Sequence, residues 1–397
     1  MMQIKTVPSV EALYIHIPFC MKKCNYCDFL SFPHNHDTGE SMELYISALI
    51  NEMELVKKQF SISAKTIFIG GGTPSCLPEH LLQILLEAIY RYFVTDALQE
   101  YTIELNPGTI TWEKLQLMRN YGINRLSIGV QSDTVEQLKL LGRIHSFSEA
   151  QETVQMARRL GFTNINLDFM YGIPGQTLDM WRDTLQAALE LNPEHLSLYQ
   201  LKIEENTVFA QWMQDGKIQE FDDEMALDMY RLAQSILTAN GYGQYEISNY
   251  AKPGYESMHN QVYWRTENYL GLGLGACSWV RPLRWNNSFE MVSYLEGLQQ
   301  DVLLKQDEEQ LSQREQMEET VFMALRMNQG LSKEMFSKRF GVPIEAVFAA
   351  QIAECEAHGW IVADAYSYKL TEEGRVLGNL VFLEFINTDI SEELGDK

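Results

Sequence analysis

The chain has 397 residues, of which 46% are hydrophobic and 21% charged, enough for one large catalytic-size domain and a small one. Its formal net charge of −23 argues against a nucleic-acid partner, because phosphate binding needs clustered lysines and arginines. The chain has no run of about eighteen apolar residues, as a membrane anchor would require, and its first residues lack the apolar core of a signal peptide. We therefore expect a cytoplasmic protein.

Short apolar runs alternate with amphipathic helical stretches through the first half of the chain. The predicted strands are Leu13 to Ile17, Thr66 to Ile69, Tyr101 to Leu105, Arg125 to Gly129, Asn164 to Phe169 and His195 to Tyr199. The predicted helices between them are Met42 to Lys58, Glu79 to Tyr92, Trp112 to Tyr121, Ser148 to Leu160 and Leu178 to Leu191. This alternation predicts an α/β fold, an incomplete (β/α)6 TIM-like barrel with a parallel sheet.

The second half is less regular. A helix over Asp222 to Asn240 and a strand over Tyr242 to Ile247 are predicted, and the charged stretch Gln306 to Glu319 opens a helical segment at a candidate boundary. The tail reads helix, turn, helix and two short strands, which is typical of a winged-helix-like α+β module. Its second helix has three glutamates and no Lys or Arg, so we expect no DNA contact. The predicted domains are a partial barrel over 1–235, a linking region over 236–305 and the winged-helix-like domain over 306–397.

Glycine-bearing or polar residues follow the ends of the predicted strands. They are Gly70 to Pro74, Asn106 to Gly108, Gln131 and Tyr171 to Gly175. In parallel βα folds the ligand site is built at this carboxyl end of the strands.

Three of the six cysteines, Cys20, Cys24 and Cys27, lie on one short segment after the first strand. Thiolates ligate iron–sulfur clusters with one ligand per iron, so three thiols would leave the fourth iron of a [4Fe-4S] cluster open for a small ligand. The alternative is a zinc site completed by His34 or His36. Closed zinc sites usually show a second cysteine pair, which this chain lacks, so the spacing favours a cluster.

The CxxxCxxC spacing with an aromatic before the third cysteine, followed by GGGTP at the next strand end, resembles the radical S-adenosylmethionine (SAM) superfamily. In that superfamily the open iron chelates SAM, and reduction by the cluster generates a radical. The further segments ALYIHIPFC, IELNPGT, SIGVQS, LGRIHS and LDFMYGIPGQT resemble the oxygen-independent coproporphyrinogen III oxidase family and its haem-chaperone branch.

The resemblance implies SAM contacts at the strand ends. The backbone at Gly71 and Gly72 would admit the amino end of SAM, Arg143 suits a carboxylate, and Asp168 would take the ribose hydroxyls. Taken alone, the glycines could form a turn, and Glu104 and Asp168 could be helix caps or ion-pair partners. The implied set is Tyr14, Tyr26, Gly71, Gly72, Thr73, Glu104, Gln131, Arg143 and Asp168.

Two departures separate the chain from the oxidases of this family. The oxidase pattern has a further cysteine two residues after the third, where this chain has Phe29, and only thirteen residues precede Tyr14. Both features are what the resemblance implies for the haem-chaperone branch, so radical SAM cofactors are expected while oxidase activity is doubted.

The segment His259-Asn260-Gln261-Val262-Tyr263-Trp264 resembles the HNxxYW haem motif of the chaperone branch. An imidazole is a suitable axial ligand for haem iron, and the aromatic residues Tyr263 and Trp264 can cover the macrocycle. The alternative is that His259 or Asn260 caps a helix from Val262 and that Trp264 lies in the core. The haem residues implied are His259, Asn260, Tyr263 and Trp264.

The sequence therefore predicts a haem chaperone that binds haem and delivers it to acceptor haemoproteins, such as respiratory or haem-storage proteins, and carries a SAM-binding [4Fe-4S] cluster. A radical SAM enzyme of the oxidase type is the first alternative, and a zinc-stapled scaffold protein is the second. The resemblance also leaves room for a homodimer.

Overall fold

The computed structural model describes residues 9–33 and 39–386. Its first part alternates strands and helices in the predicted order. The strands are β1 (Ser9–Ile17), β2 (Phe19–Cys20), β3 (Phe32–Pro33), β4 (Ser61–Gly71), β5 (Glu100–Leu105), β6 (Arg125–Gln131), β7 (Ile165–Tyr171) and β8 (His195–Gln200). The helices are α1 (Gly39–Gln59), α2 (Glu79–Phe93), α3 (Trp112–Asn120), α4 (Val135–Leu141), α5 (Phe147–Arg159), α6 (Leu178–Glu190), α7 (Val208–Gln214) and α8 (Asp223–Ala239).

The six predicted strands form the centre of the fold. β1 and β4 to β8 are hydrogen-bonded neighbours in this order, and every pair is parallel. The incomplete (β/α)6 TIM-like barrel is therefore confirmed. All of β6 is buried: Leu126 and Ile128 belong to the hydrophobic core, while Arg125 and Ser127 point the opposite way. The barrel interior is thus lined with polar side chains.

Short polar residues fix where several barrel helices begin. The hydroxyls of Thr111, Thr134 and Thr177 each accept a hydrogen bond from the backbone N–H three residues later. Ser146 does the same for α5 and forms a capping box with Glu149. These caps end each strand-to-helix loop within a few residues, so the loops stay short at the carboxyl end of the sheet.

The two ends of the barrel differ in the residues that form them. The barrel mouth is formed by the loops that follow the carboxyl ends of β1 and β4 to β8. The barrel floor is the layer of inward side chains near the beginnings of the strands, joined by residues 257–259. The strand residues of the barrel floor are Thr66, Glu100, Arg125, Asn166 and His195, all buried.

The sheet continues beyond the six predicted strands to twelve in all. The remaining elements of this region are β9 (Gly243–Gln244), β10 (Asn249–Ala251), α9 (Met258–Trp264), β11 (Tyr269–Leu272), β12 (Cys277–Val280), β13 (Leu283–Asn287), α10 (Met291–Gln299) and β14 (Lys305–Gln310). β11 pairs parallel to β1, and β12, β13 and β14 follow it outward, while β10 and β9 extend the other side. Strands β11 to β13 were not among the predicted elements.

Two predicted elements are wrong. The strand predicted over Tyr242 to Ile247 is reduced to the two residues of β9. The charged stretch Gln306 to Glu319 does not begin as a helix: its first part is the edge strand β14, whose six residues are all exposed. Charged side chains are common on edge strands because they discourage pairing with another chain.

The glycines from Gly271 to Gly275 lie where the chain packs closely. A Cβ at Gly271 would lie 2.2 Å from the carbonyl oxygen of Cys277, and one at Gly273 would lie 2.6 Å from the Tyr45 hydroxyl. Only glycine therefore fits where β11 meets α1.

The chain divides into two compact units. The first comprises residues 1–243, 248–259 and 268–308, and the second comprises 244–247, 260–267 and 309–397. The predicted linking region over 236–305 is thus shared between them. Among the described residues, no helix combines the length and apolarity that crossing a membrane requires.

The described part of the second unit has the predicted winged-helix-like arrangement, with five helices between Gln313 and Glu384 and a small three-stranded antiparallel sheet. Its core contains Phe336, Phe348 and Phe385. Its elements are α11 (Gln313–Leu325), β15 (Leu331–Ser332), α12 (Lys333–Phe340), α13 (Glu345–Ala357), β16 (Ile361–Ala363), β17 (Ser367–Leu370), α14 (Glu372–Val376) and α15 (Gly378–Glu384).

Candidate functional site at the barrel mouth

The three predicted cluster thiols share one loop at the barrel mouth. Cys20 ends β2, and a turn brings the backbone N–H of Cys27 to within 3.3 Å of the carbonyl oxygen of Cys24. Burial raises the pKa of both the Cys20 and the Cys27 thiol, and a charge on Cys24 raises both further. The three thiols therefore lie close enough together to influence one another's ionisation.

Backbone contacts with α4 hold this cysteine loop in place. Asn25 donates from its side-chain amide to the carbonyl oxygen of Leu140 at 2.8 Å and from its backbone N–H to that of Leu141 at 3.0 Å. Gly142 then ends α4 in the left-handed conformation, and a Cβ there would lie 3.0 Å from the Asn25 side chain. The loop position therefore depends on a close approach that only glycine permits.

His34 and His36, the histidines of the alternative zinc site, lie outside the described residues. Within residues 9–33 and 39–386, no three His, Cys, Asp or Glu side chains are close enough to share a single metal ion. A four-iron cluster places its ligands on different irons, so its three thiols need not converge on one point.

The segment Gly71-Gly72-Thr73 follows β4 directly beside the cysteine loop. A Cβ at Gly71 would lie 2.5 Å from the His16 ring, and one at Gly72 would lie 2.6 Å from the carbonyl oxygen of Phe19. The Thr73 hydroxyl lies 3.6 Å from the Cys20 sulfur. Both glycines are therefore required for the backbone to pass next to the first cluster cysteine.

The two predicted acids lie at inward positions of β5 and β7, the strands on either side of β6. Glu104 accepts a hydrogen bond from the backbone N–H of Gly71 at 3.1 Å, and Asp168 accepts from Ser127 and from Asn166. Burial raises the pKa of Glu104 to about 8, and the charge of Asp168 adds to the effect. Burial also raises the pKa of Asp168. Such carboxyl groups are typical of sites that receive a positively charged ligand.

Arg143 contacts the cysteine loop from the other side of the barrel mouth. It donates to the carbonyl oxygen of Gly129 at 2.6 Å and to the side-chain oxygen of Asn106, and its Nη1 lies 3.6 Å from the Cys24 sulfur. Gln131, two residues after Gly129 at the end of β6, is buried and has the left-handed backbone conformation, with φ of 70°. In this arrangement the guanidinium is directed at a cluster cysteine, and its predicted contact with the SAM carboxylate stays a prediction.

The two predicted tyrosines have different surroundings. The Tyr14 hydroxyl lies 2.9 Å from Nδ1 of His16, and its ring stacks on Phe68 at 6.3 Å between centroids. Burial raises the pKa of Tyr26, whose strongest charged neighbours are Arg143 and Cys24. Tyr26 therefore belongs to the cysteine-loop side of the site, and Tyr14 to the barrel wall.

His16 and Asn106 are site residues that the sequence reasoning did not single out. His16 connects Tyr14 with the carbonyl oxygen of Leu30, 2.9 Å from its Nε2, at the end of the cysteine loop. Asn106 donates to the Thr73 hydroxyl at 2.7 Å and accepts from Arg143. Asn106 lies in a strand-end segment that the sequence marked, and His16 precedes the first cysteine by four residues, so proximity to the motifs could have indicated both.

The predicted haem residues are divided between the two units. His259 belongs to the first unit and is 1% exposed, whereas Asn260, Tyr263 and Trp264 belong to the second and are partly exposed. In the second unit the Arg326 guanidinium lies 4.8 Å from the Trp264 ring centroid. Trp264 Nε1 has no hydrogen-bond partner among the described residues.

The alternative that His259 or Asn260 caps a helix from Val262 is wrong. α9 begins at Met258, and its N-terminus is capped by the carboxylate of Glu100 on β5. This carboxylate accepts from the backbone N–H groups of Met258 and His259 at 2.7 and 3.0 Å.

Comparison with known proteins identifies the two parts of the chain separately. Residues 14–188 match the radical SAM superfamily, and residues 311–377 match the HemN C-terminal domain. Among solved structures, coproporphyrinogen III oxidase (HemN) from Escherichia coli, described as a radical SAM enzyme, superposes with a TM-score of 0.83 at 25% identity. That match covers 96% of this chain and 90% of the oxidase.

Curated relatives match over nearly the whole length. The haem chaperone HemW of Bacillus subtilis is 37% identical over 379 residues, 95% of this chain and 99% of the relative. HemW of Escherichia coli is 36% identical, covering 94% and 98% of the two chains. A Danio rerio protein named radical S-adenosyl methionine domain-containing protein 1, mitochondrial, is 34% identical and covers 94% and 86%. With this similarity and the cysteine loop at its barrel mouth, the chain belongs to the HemW family of radical SAM proteins.

Proposed function

We propose that this protein is a haem chaperone, which binds haem and passes it to acceptor haemoproteins, and that it carries a [4Fe-4S] cluster and SAM at the barrel mouth. The observation that carries the proposal is the near-complete match to haem chaperones. The cysteine loop and the residues directed towards it support the cofactor part.

The donor set at the barrel mouth fits a cluster and SAM. Cys20, Cys24 and Cys27 supply three thiols for iron, and a Cβ on Gly71 or Gly72 would collide with the His16 ring or the Phe19 backbone next to the first of them. When bound, the cluster and SAM together supply one-electron chemistry. The protein's contribution is to hold both: Thr73 and Arg143 contact two of the cysteine sulfurs and steady the loop.

The remaining predicted SAM residues would position the cofactor. Glu104 and Asp168 offer carboxylates to the amino and ribose groups, Tyr14 supports the methionine part, and Gln131 lies at the end of β6. Tyr26, which is partly buried within the cysteine loop, would support that loop beside the cofactor. Together they place SAM above the polar interior of the barrel.

For the haem part, His259, Asn260, Tyr263 and Trp264 form the proposed binding motif, on the basis of the HNxxYW resemblance. The proposed acceptors are haemoproteins of respiration or haem storage, and the proposed compartment is the cytoplasm. A homodimer is the proposed assembly. The oxidase alternative is disfavoured by Phe29, which occupies the position of the oxidase's additional cysteine and is 63% exposed.

Anaerobic purification with iron, sulfide and haem quantified on one sample tests the proposal. Cluster-loaded protein should bind haem, transfer it to a haem-free acceptor and fail to decarboxylate coproporphyrinogen III. His259→Ala should retain less haem, whereas His358→Ala, which removes an exposed histidine of the second unit, should retain it fully. Robust turnover of coproporphyrinogen III would establish the oxidase instead, and stoichiometric zinc without iron would establish the scaffold.

A further inference from the structure

The first residue of the proposed haem motif is enclosed in the barrel floor. His259 is 1% exposed, and its Nδ1 lies 2.9 Å from the hydroxyl of Thr66 on β4. Its ring stacks on Phe68 of the same strand, with centroids 5.3 Å apart and an interplanar angle of 27°. The imidazole is therefore both hydrogen-bonded and covered by an aromatic ring inside the barrel.

The backbone around His259 is bound as firmly as its side chain. The Glu100 carboxylate, itself 4% exposed, accepts from the Ser257 hydroxyl at 3.3 Å and from the backbone N–H groups of Met258 and His259. Moving the backbone of Met258 and His259 away from the floor would remove N–H donors from a buried carboxylate, which is among the costlier changes inside a protein. The start of α9 is thus fixed in the barrel floor.

We propose that His259 is a positioning residue, which anchors the haem motif to the barrel floor and supports the SAM chamber from below, and that it is not the axial ligand of the haem iron. The proposal rests on the proposed haem binding. Axial ligation requires the iron to approach an imidazole nitrogen to bonding distance. The Thr66, Phe68 and Glu100 contacts instead keep this ring within the barrel.

An aromatic column connects His259 with the residues proposed to hold SAM. Phe68 stacks on His259 below and on Tyr14 above, and the Tyr14 hydroxyl lies 2.9 Å from His16. His16 in turn contacts Leu30 at the end of the cysteine loop. Removing the His259 ring would leave space under Phe68 and reduce the packing of Tyr14. A change in the haem motif should therefore weaken SAM binding.

The first arm of the test reads the axial ligand directly. Ferric haem bound to wild-type protein, His259→Gln and His259→Ala is compared by electron paramagnetic resonance and resonance Raman spectroscopy. We expect lower haem retention in both variants with an unchanged axial-ligand signature. A changed signature that added imidazole restores would overturn the proposal.

The second arm uses haem-free, cluster-loaded protein and measures SAM affinity. A positioning role predicts that His259→Ala raises the SAM dissociation constant about fivefold, whereas an axial ligand without this role would leave it unchanged. His358→Ala, which removes an exposed histidine outside the motif, is the matched control and should not alter it. Wild-type SAM affinity in His259→Ala would overturn the positioning role.

A third variant guards against simple misfolding. Thr66→Val removes the hydroxyl partner of His259 while keeping the shape of a buried side chain, and should shift haem retention in the same direction as His259→Gln. Thr153→Val is the control, because Thr153 is equally buried but bonds within α5 to the carbonyl oxygen of Glu149. Equal haem retention by these two threonine variants would overturn the proposal. Wild-type protein that binds no haem would instead overturn the proposed function, and the SAM measurement would still decide on the positioning role.

Discussion

The barrel mouth and the barrel floor are both lined with polar side chains, but these are used differently. At the floor, the groups bond to one another: Glu100 accepts from four donors, and His195 Nδ1 lies 2.6 Å from the side-chain oxygen of Asn166. At the mouth, Cys24 and Cys27 are partly exposed, and the contact of Arg143 with Cys24 is a long 3.6 Å.

The difference shows what separates a structural polar cluster from a ligand site. A floor group loses its partner if a neighbour is changed, so it should contribute mainly to the free energy of unfolding. A mouth group that binds the proposed cofactors should instead contribute mainly to their affinity. Residue type alone does not make this distinction, since histidines and carboxylates occur at both ends.

Cys24→Ser gives the largest expected effect, at the mouth. A serine oxygen is a poor cluster ligand, so iron and sulfide should fall to background after anaerobic reconstitution, with the visible cluster absorption lost. Cys76→Ser is the control, because the Cys76 thiol bonds to the carbonyl oxygen of Phe19 and a serine can replace that contact. A full cluster in Cys24→Ser would remove the mouth from consideration as a cofactor site.

Glu100→Gln should have the largest effect at the floor. An amide offers one acceptor oxygen where the carboxylate serves four donors, so the free energy of unfolding should fall by about 3 kcal/mol. Urea denaturation measures this loss. Iron content per folded molecule should stay at the wild-type level. Glu87→Gln, at an exposed pair with Arg91, should change stability by less than about 0.5 kcal/mol. Similar losses for both variants would contradict a special role of the floor.

His259→Gln sharpens the comparison through pH. Burial, helped by the charge of Arg125, lowers the pKa of His259 to about 3 from its usual 6.5. Below pH 6.5 the unfolded chain therefore binds a proton on this histidine that the folded chain does not bind. Protonation thus favours unfolding, and the free energy of unfolding, which is unaffected above pH 6.5, falls as pH decreases towards 3. Between pH 8 and 5 the wild type should lose about 2 kcal/mol relative to His259→Gln. A gap between the two unfolding free energies that does not change with pH would show that the ring titrates normally.

The sequence predicts the mouth well for a physical reason. Parallel strands bring their carboxyl ends to one edge, so motifs that follow successive strands must meet there, as Gly71 and Glu104 do. The cysteine spacing adds a chemical requirement that few other functions share. Local signals were therefore sufficient for the six barrel strands and for the residues around the cysteine loop.

The floor could not be predicted in the same way. Glu100 and Ser257 are 157 residues apart in the chain, and no sequence motif near either residue predicts their contact. The strands β11 to β13 could not be predicted for a related reason. β11 contains the close-packed Gly271, and its pairing with β1 depends on tertiary packing against α1. Long-range partners decide both cases, so the sequence could offer His259 only as a haem ligand or a helix cap and not as a residue of the barrel floor.

Glu104→Gln should give the smallest of these effects, and it tests the mouth without removing the cluster. With the Glu104 pKa raised to about 8, much of this carboxyl is protonated near pH 7 in the absence of SAM. The sulfonium charge and N–H donors of SAM favour the ionised form, so binding should release a proton, and affinity should rise from pH 6.5 to 8.5 and level off above the pKa. The glutamine variant cannot ionise; its affinity should be flat with pH and about tenfold weaker than wild type at pH 8.5. Equilibrium dialysis of cluster-loaded protein measures both curves, and a flat wild-type curve would mean that Glu104 meets no SAM and belongs with the self-bonded groups of the floor.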